Sequence, residues 1–379
     1  MQTCLLSDLC ELSPYADDWD RLSGGVPFRS WAWLSTWWRH YGEGRKGARL
    51  FVPCVFDSRE RLIGLAPWYL DESAWGRVVL PLGSGEVCSD YLSVLCQPGR
   101  EEVVGAALAD FLTGGAAVNP GDAPRFDLIE LSGVDAEDRA VDEFARCMAD
   151  RGTTVHVRGG PNCWRIALPE TFDGYLAMLS KGHRKQLRRL QRNLLAGERA
   201  VVHEVRSFEE LDRAIEILID LHQRRWRAAG EPGCFSSARF DAFHRSAIPE
   251  MLRAGSLRLS WLEVDEKPAA AEYDLAGGDV IYAYQSGFHP DLRAHEPGRM
   301  LAVAAVRRAI EQGFRGYDLL RGDEPYKAHW RAGRRRSVEL RIVPDRAAAL
   351  LRHNLWLAGS KLKGWVRRGC NVTDTPRVP

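Results

Sequence analysis

Short apolar runs bounded by turn residues alternate along this chain with segments of three- and four-residue apolar spacing, which predicts strands and helices in alternation. Residues 27–41 carry the helical spacing and stop at Gly42. Residues 49–56 read as a strand, Asp57-Ser58-Arg59-Glu60 as its turn and residues 62–70 as the returning strand. A further strand over 77–82 runs into Gly83-Ser84-Gly85, and 101–112 has helical spacing. Strands at 126–131 and 153–158 flank a helix over 138–151 that Gly152 closes. After Gly159-Gly160-Pro161 come a strand at 164–168, a helical region over 171–195 interrupted by Gly182, and a strand at 201–206. Ser207-Phe208-Glu209-Glu210 has the capping-box spacing and opens a helix reaching Trp226. A second helix follows over 238–254, broken or kinked at Pro249. Three strands in close order (256–264, 269–275, 280–288) lead to a loop at Pro297-Gly298, a helix to Gly313 and a short strand at 317–320. The strand, acidic turn and strand at 49–70 return at 256–275, so the order of elements suggests two related units with a cleft between them.

The class is therefore mixed α/β or α+β. With 379 residues, two domains are the expectation. The pattern places the first over 1–160, the second over 161–345, and a last amphipathic helix with a loose tail (371–379) over 346–379.

Composition narrows the function classes. Apolar content of 45% and charged content of 27% are those of an ordinary globular protein, and a formal net charge of +1 gives no whole-molecule attraction to nucleic acid or anionic membrane. The nine cysteines are scattered and form no CxxC pair, which argues against a zinc site or a disulfide framework. The first residues lack a basic, apolar leader and no stretch is long and apolar enough to span a bilayer, so a cytoplasmic location is expected. The tryptophans at 31, 33, 37 and 38 read first as core packing, with an aromatic ligand platform as the alternative.

Candidate chemistry gathers in two places. In residues 280–330, two strand ends and a helix N-terminus bring charged and phenolic groups together. On the helix over 181–199, Leu187, Leu190 and Leu194 form an apolar stripe, while Lys181, Arg184, Lys185, Arg188, Arg189, Arg192 and Arg199 stand against a single acid, Glu198. That face is either a solvated surface or an electropositive wall for a phosphate-bearing ligand.

The second half resembles the FemAB-like and CelD-like branch of the GNAT acyltransferase superfamily, in which two GNAT units are fused. The likeness is carried by His222-x-x-x-Trp226, by Ala269-Ala270-Ala271-Glu272-Tyr273 and by Tyr284-Gln285-Ser286-Gly287-Phe288. Pro297-Gly298-x-x-Leu301 and Asp318-Leu319-Leu320-Arg321-Gly322-x-Glu324-x-Tyr326-Lys327 complete it, with Ser89-Asp90-Tyr91 in the first unit. The resemblance implies transfer of an acyl or aminoacyl group to an amine or hydroxyl acceptor. The donor is then acyl-CoA or a carrier-bound thioester, with no metal; aminoacyl-tRNA, as for a Fem-type ligase, is the alternative, and a non-catalytic binding module in envelope or polysaccharide assembly a third reading. At the donor loop, Gly298 and Arg299 are the expected cofactor contacts, joined by Lys181, Arg184 and Arg188. That loop keeps one glycine, loses a donor at Pro297 and carries Glu296, so most of the pyrophosphate signature is gone. Direct transfer needs a base, an acid and an oxyanion donor. Glu272, polar within an apolar strand, is the expected base, with Tyr284 and Asp318 as the other catalytic candidates. Asp90, Tyr91, Trp226, Arg321, Glu324, Tyr326 and Lys327 are the expected substrate contacts, with Gly322 allowing the turn that projects the last three.

Overall fold

The computed structural model describes residues 1–73, 76–114, 125–196 and 200–370. Arg199, Glu198 and the tail 371–379 lie outside them. The described residues form two mixed sheets flanked by helices, one of nine strands and one of seven. No helix among the described residues is long and apolar enough to cross a membrane.

The predicted elements form, with local chemistry setting their ends. Ser30 caps the helix Trp31–Tyr41 by accepting from Trp33 N, after a 3-10 turn over Pro27–Arg29. The capping box at Ser207 and Glu210 is present, and the helix Leu211–Ala228 follows it. Pro249 sits inside the helix Ala238–Arg253 without ending it. The region 171–195 is two helices, Phe172–Met178 and Lys181–Ala196; the break falls at Leu179 and Ser180 rather than at Gly182. The returning strand of the first hairpin is also divided, into Leu62–Leu65 and Trp68–Ser73.

The two sheets share a topology. In the first, Ala48–Phe56, Trp68–Ser73 and Gly76–Pro81 run antiparallel, and the last then pairs in parallel with Leu128–Asp135. In the second, Leu257–Val264, Lys267–Gly277 and Val280–Phe288 run antiparallel, and the last pairs in parallel with Gly316–Arg321. The order read at 49–70 and 256–275 thus corresponds to one arrangement built twice.

The chain crosses between the sheets in both directions. Cys163–Ala167 lies beside Gly316–Arg321 in the second sheet, while Ser337–Val343 returns to the first and fills the place between Leu128–Asp135 and Thr154–Gly159. A strand from within 161–345 is therefore an inner strand of the N-terminal sheet. One apolar core also spans both units. Trp33, Trp37 and Trp38 are buried in it, and Trp33 meets Phe243 edge to face at a ring separation of 5.0 Å. Trp33 thus packs the join between the units, while the rings of Trp37 and Trp38 meet Tyr41 and Tyr69 within the first unit, so all three serve as core. Backbones touch there too: a Cβ on Gly277 would collide with the carbonyl of Gly25.

Candidate active site

Val280–Phe288 and Gly316–Arg321 pair at only three positions, Val280 with Gly316, Ile281 with Tyr317 and Tyr282 with Asp318, and then part. A bulge helps to part them. Tyr273 faces Gln285 and Asp274 faces Ala283, which leaves Tyr284 as the extra residue and bends the strand. The wedge opens into a cavity of about 950 Å³ that reaches from the donor loop to the first unit.

Its wall is set by a glycine. A Cβ on Gly287 would collide with the backbone of His222, so the helix Leu211–Ala228 can press directly on the strand. That contact brings Arg225 and Trp226 to the cavity, with Arg225 donating to Ser286 Oγ (3.0 Å). On the floor lie Glu272 and Asp274, which share a face of their strand because side chains alternate. Asp274 accepts from Tyr317 Oη (2.7 Å), whereas Glu272 Oε2 is buried with no hydrogen-bond partner. Burial raises both carboxyl pKa values, Asp274 to about 7 and Glu272 well above the ordinary carboxyl range, where the charge of Asp274 adds to the effect.

The donor loop enters the cavity through Arg293, Glu296, Gly298 and Arg299. Glu296 stands at the N-terminus of the helix Pro297–Glu311 with φ +52°. Its carboxylate pairs with Arg189 (2.6 Å) and Arg299 (2.8 Å) and accepts from Gln186 Nε2 (2.8 Å). A carboxylate of the protein thus sits where the helix dipole favours an anion.

Several expected site residues have other tasks. Asp318 is fully buried and outside the cavity lining: it accepts from Tyr91 Oη (2.6 Å), Arg165 Nε (2.7 Å) and Leu320 N (2.8 Å), which makes it a joint between the units. Tyr91 is committed to that joint and also lies outside the lining. Tyr284 borders the cavity, but its hydroxyl donates to the carbonyl of Val87 (2.6 Å) in the first unit, so it is not free to protonate a leaving group. Asp90 and Arg321 both line the cavity and pair with each other at 2.8 Å. Lys327 lines it too, yet is only 2% exposed; its Nζ donates to the carbonyls of Leu320, Arg321 and Gly322 and pairs with Glu324 (2.9 Å). It braces the Gly322 turn, where φ is +113°. Tyr326 remains half exposed at the rim.

On the basic helix, Arg184 is spent on the carbonyls of Leu176, Ala177 and Leu179. Lys181 and Arg188 are exposed and do not line the cavity. Asp274, Arg225 and Tyr317 were not singled out by the sequence reading. Asp274 carried a signal there, two residues from Glu272 on an apolar strand, and Arg225 lies within the His222-x-x-x-Trp226 motif. Among the described residues no group of three His, Cys, Asp or Glu side chains is arranged to hold a metal ion.

Residues 181–328 match the family model of the acetyltransferase (GNAT) domain. No curated protein matches the chain by sequence. Among solved structures, FemX is similar over 89% of this chain and 97% of its own, at 11% identity and a TM-score of 0.60. L-PGS from Bacillus licheniformis is similar over 91% and 95%, at 12% identity and a TM-score of 0.52. The C-terminal domain of a putative lysylphosphatidylglycerol synthetase from Agrobacterium fabrum has the same coverage and TM-score at 11% identity. At these identities the likeness is one of fold.

Proposed function

We propose that this chain, whose residues 181–328 match the acetyltransferase (GNAT) domain model and whose fold is similar to that of FemX, is a transferase whose cleft moves an acyl or aminoacyl group from an activated donor directly to an amine or hydroxyl acceptor. The observation that carries the reading is the parting of Val280–Phe288 from Gly316–Arg321 after three paired positions. On the parted side, the later backbone groups of Val280–Phe288 have no strand partner and border a cavity long enough for an extended donor arm. The same N–H groups are available to an oxyanion. Glu272 acts as the base: it lines the cavity, one of its oxygens is free of other partners, and burial makes it hold a proton more tightly than an ordinary carboxylate. Tyr326, a phenol at the rim, takes the role of acid that Tyr284 cannot fill.

The resemblance allows two donors. A CoA-type thioester fits the first-turn N–H groups of Pro297–Glu311, which have no intrahelical partner, together with Arg225, Arg293 and Arg299 at the mouth. Glu296 favours aminoacyl-tRNA instead. Its carboxylate lies at the pyrophosphate end and holds Arg189 and Arg299, while Lys181, Lys185, Arg188 and Arg192 remain exposed on the neighbouring helix for a longer polyanion. Either donor is a cytoplasmic metabolite class, in keeping with the expected location.

The test measures binding and turnover of the full chain against acyl-CoA thioesters and charged tRNA, each across a salt series. Expected are tRNA binding that weakens steeply with salt and an E272Q variant slowed by about 100-fold or more. Silence with both donor classes in the presence of mixed amine and hydroxyl acceptors counts against transfer and favours the binding-module reading.

A further inference from the structure

The helix Ala347–Cys370 rests on the first sheet by one side. Ala349 and His353 are buried there, and Trp356, one turn on, stacks on His353. Its ring lies under the guanidinium groups of Arg158 (4.9 Å) and Arg341 (4.0 Å), which stand on Thr154–Gly159 and Ser337–Val343. Arg352 pairs with Asp127 (3.5 Å), and Arg346 donates to the carbonyl of Phe126. Leu351 and Leu355 belong to the other side. They stand four residues apart, hence together on one face, and are 61% and 62% exposed. Ala347, Ala348 and Ala358 extend this exposed face by three- and four-residue steps. In the sequence the same steps continue to Leu362, Trp365 and Val366.

Charge collects on the same element. Residues 346–373 contain Arg346, Arg352, Lys361, Lys363, Arg367 and Arg368 and no Asp or Glu, whereas the whole chain has a net charge of +1. The rest of the chain is therefore net acidic, and positive charge is concentrated beside an apolar stripe. Among the described residues no helix is long and apolar enough to cross a bilayer. A basic helix with an exposed apolar stripe lies instead in the plane of a membrane interface. Two other occupants fit less well. A second copy laid helix to helix brings like charges together, and a nucleic acid answers the charge but leaves the leucines in water. An anionic bilayer answers both. We propose that Ala347–Cys370 docks this protein on an anionic lipid surface, with Leu351 and Leu355 entering the headgroup boundary and the lipid charge holding the basic segment. This interaction surface is separate from the cleft and does not depend on what the cleft transfers.

The test is flotation of the full chain with phosphatidylcholine vesicles, and with vesicles of phosphatidylcholine and phosphatidylglycerol in equal amounts, across a salt series. Binding to the mixed vesicles is expected to be about tenfold or more tighter than to the neutral ones, and to weaken as salt rises. L351A/L355A keeps the charge and the helix propensity. Because both positions are exposed, its thermal midpoint should match that of the wild type. Its affinity for the mixed vesicles should fall by about tenfold or more. The variant also separates this helix from the basic helix Lys181–Ala196, whose contribution to vesicle binding it leaves in place. No binding to either vesicle, equal binding to both, or unchanged affinity in L351A/L355A overturns the proposal. Absent vesicle binding together with a dimer that L351A/L355A dissolves gives the face to a second copy; absent vesicle binding with polyuridylate bound gives the charge to a nucleic acid.

Discussion

Burial without a counter-ion makes Glu272 and Asp274 hold protons more tightly in the folded chain than in the unfolded one. Their folded pKa values lie above the unfolded ones, so the stability they confer is complete below the ordinary carboxyl range and is lost as pH rises toward and through about 7, the value for Asp274. Wild-type protein is therefore expected to lose on the order of 2 kcal/mol between mildly acidic and mildly alkaline pH. E272Q, which removes the charge, should flatten that slope and melt higher than wild type on the alkaline side. Urea melts across the pH series check this, and a slope unchanged by E272Q would show that the pair does not titrate as described. Lys327 gives a second expectation at this scale. K327M keeps most of the volume but leaves the carbonyls of Leu320, Arg321 and Gly322 without their donor, and should cost about 3 kcal/mol in the same melts, with K327R recovering part of it. Glu272 stood out in the sequence because a carboxylate in an apolar strand needs a reason. The partners of Lys327, Tyr284 and Asp318 are backbone carbonyls or residues far along the chain, such as Val87 and Tyr91, which no local pattern displays.

Among the elements, the helix Pro297–Glu311 shows how one residue redirects a fold's usual chemistry. Helix dipole and free first-turn N–H groups make its start an anion site, and Glu296 supplies the anion from within. E296A should free Arg189 and Arg299 and raise affinity for free CoA by about tenfold or more, while weakening the contact between that helix and Lys181–Ala196. Calorimetry with CoA against wild type and E296A reads this directly; equal affinities would mean that Glu296 does not occupy the phosphate position. Element positions were legible wherever local signals agreed: the capping box at Ser207, the strand over 280–288 and the helix after Pro297 lie where periodicity and caps put them. Strand 337–343 was missed. It has no turn partner beside it in sequence, and its pairing with 128–135 and 154–159 is wholly long-range.

That strand decides how the whole molecule behaves. A separate fragment 1–160 would lack the strand between Leu128–Asp135 and Thr154–Gly159, leaving two inner edges unpaired and the first unit's core without Leu340 and Ile342. A fragment 161–379 would carry the same strand as an unpaired apolar ribbon, and would expose Phe243, Tyr282 and Tyr284 where Phe28 and Trp33 now pack. The ion pair of Asp90 with Arg321 and the Tyr91–Asp318–Arg165 joint would be cut as well, with Asp318 left as a buried carboxylate stripped of one donor. Unfolding should therefore be a single cooperative event despite the doubled topology, although chains of this length often unfold in stages. Tryptophan fluorescence reports on side chains in both units, Trp33 at their join among them, and far-ultraviolet circular dichroism on both sheets; in urea the two are expected to change together. Each fragment alone should aggregate or elute as an expanded chain, and co-expression of the pair should recover a folded complex. Two separated transitions, or a monomeric and folded 161–379, would mean that the returning strand and the shared core do not couple the units, and that the cleft can open without unfolding.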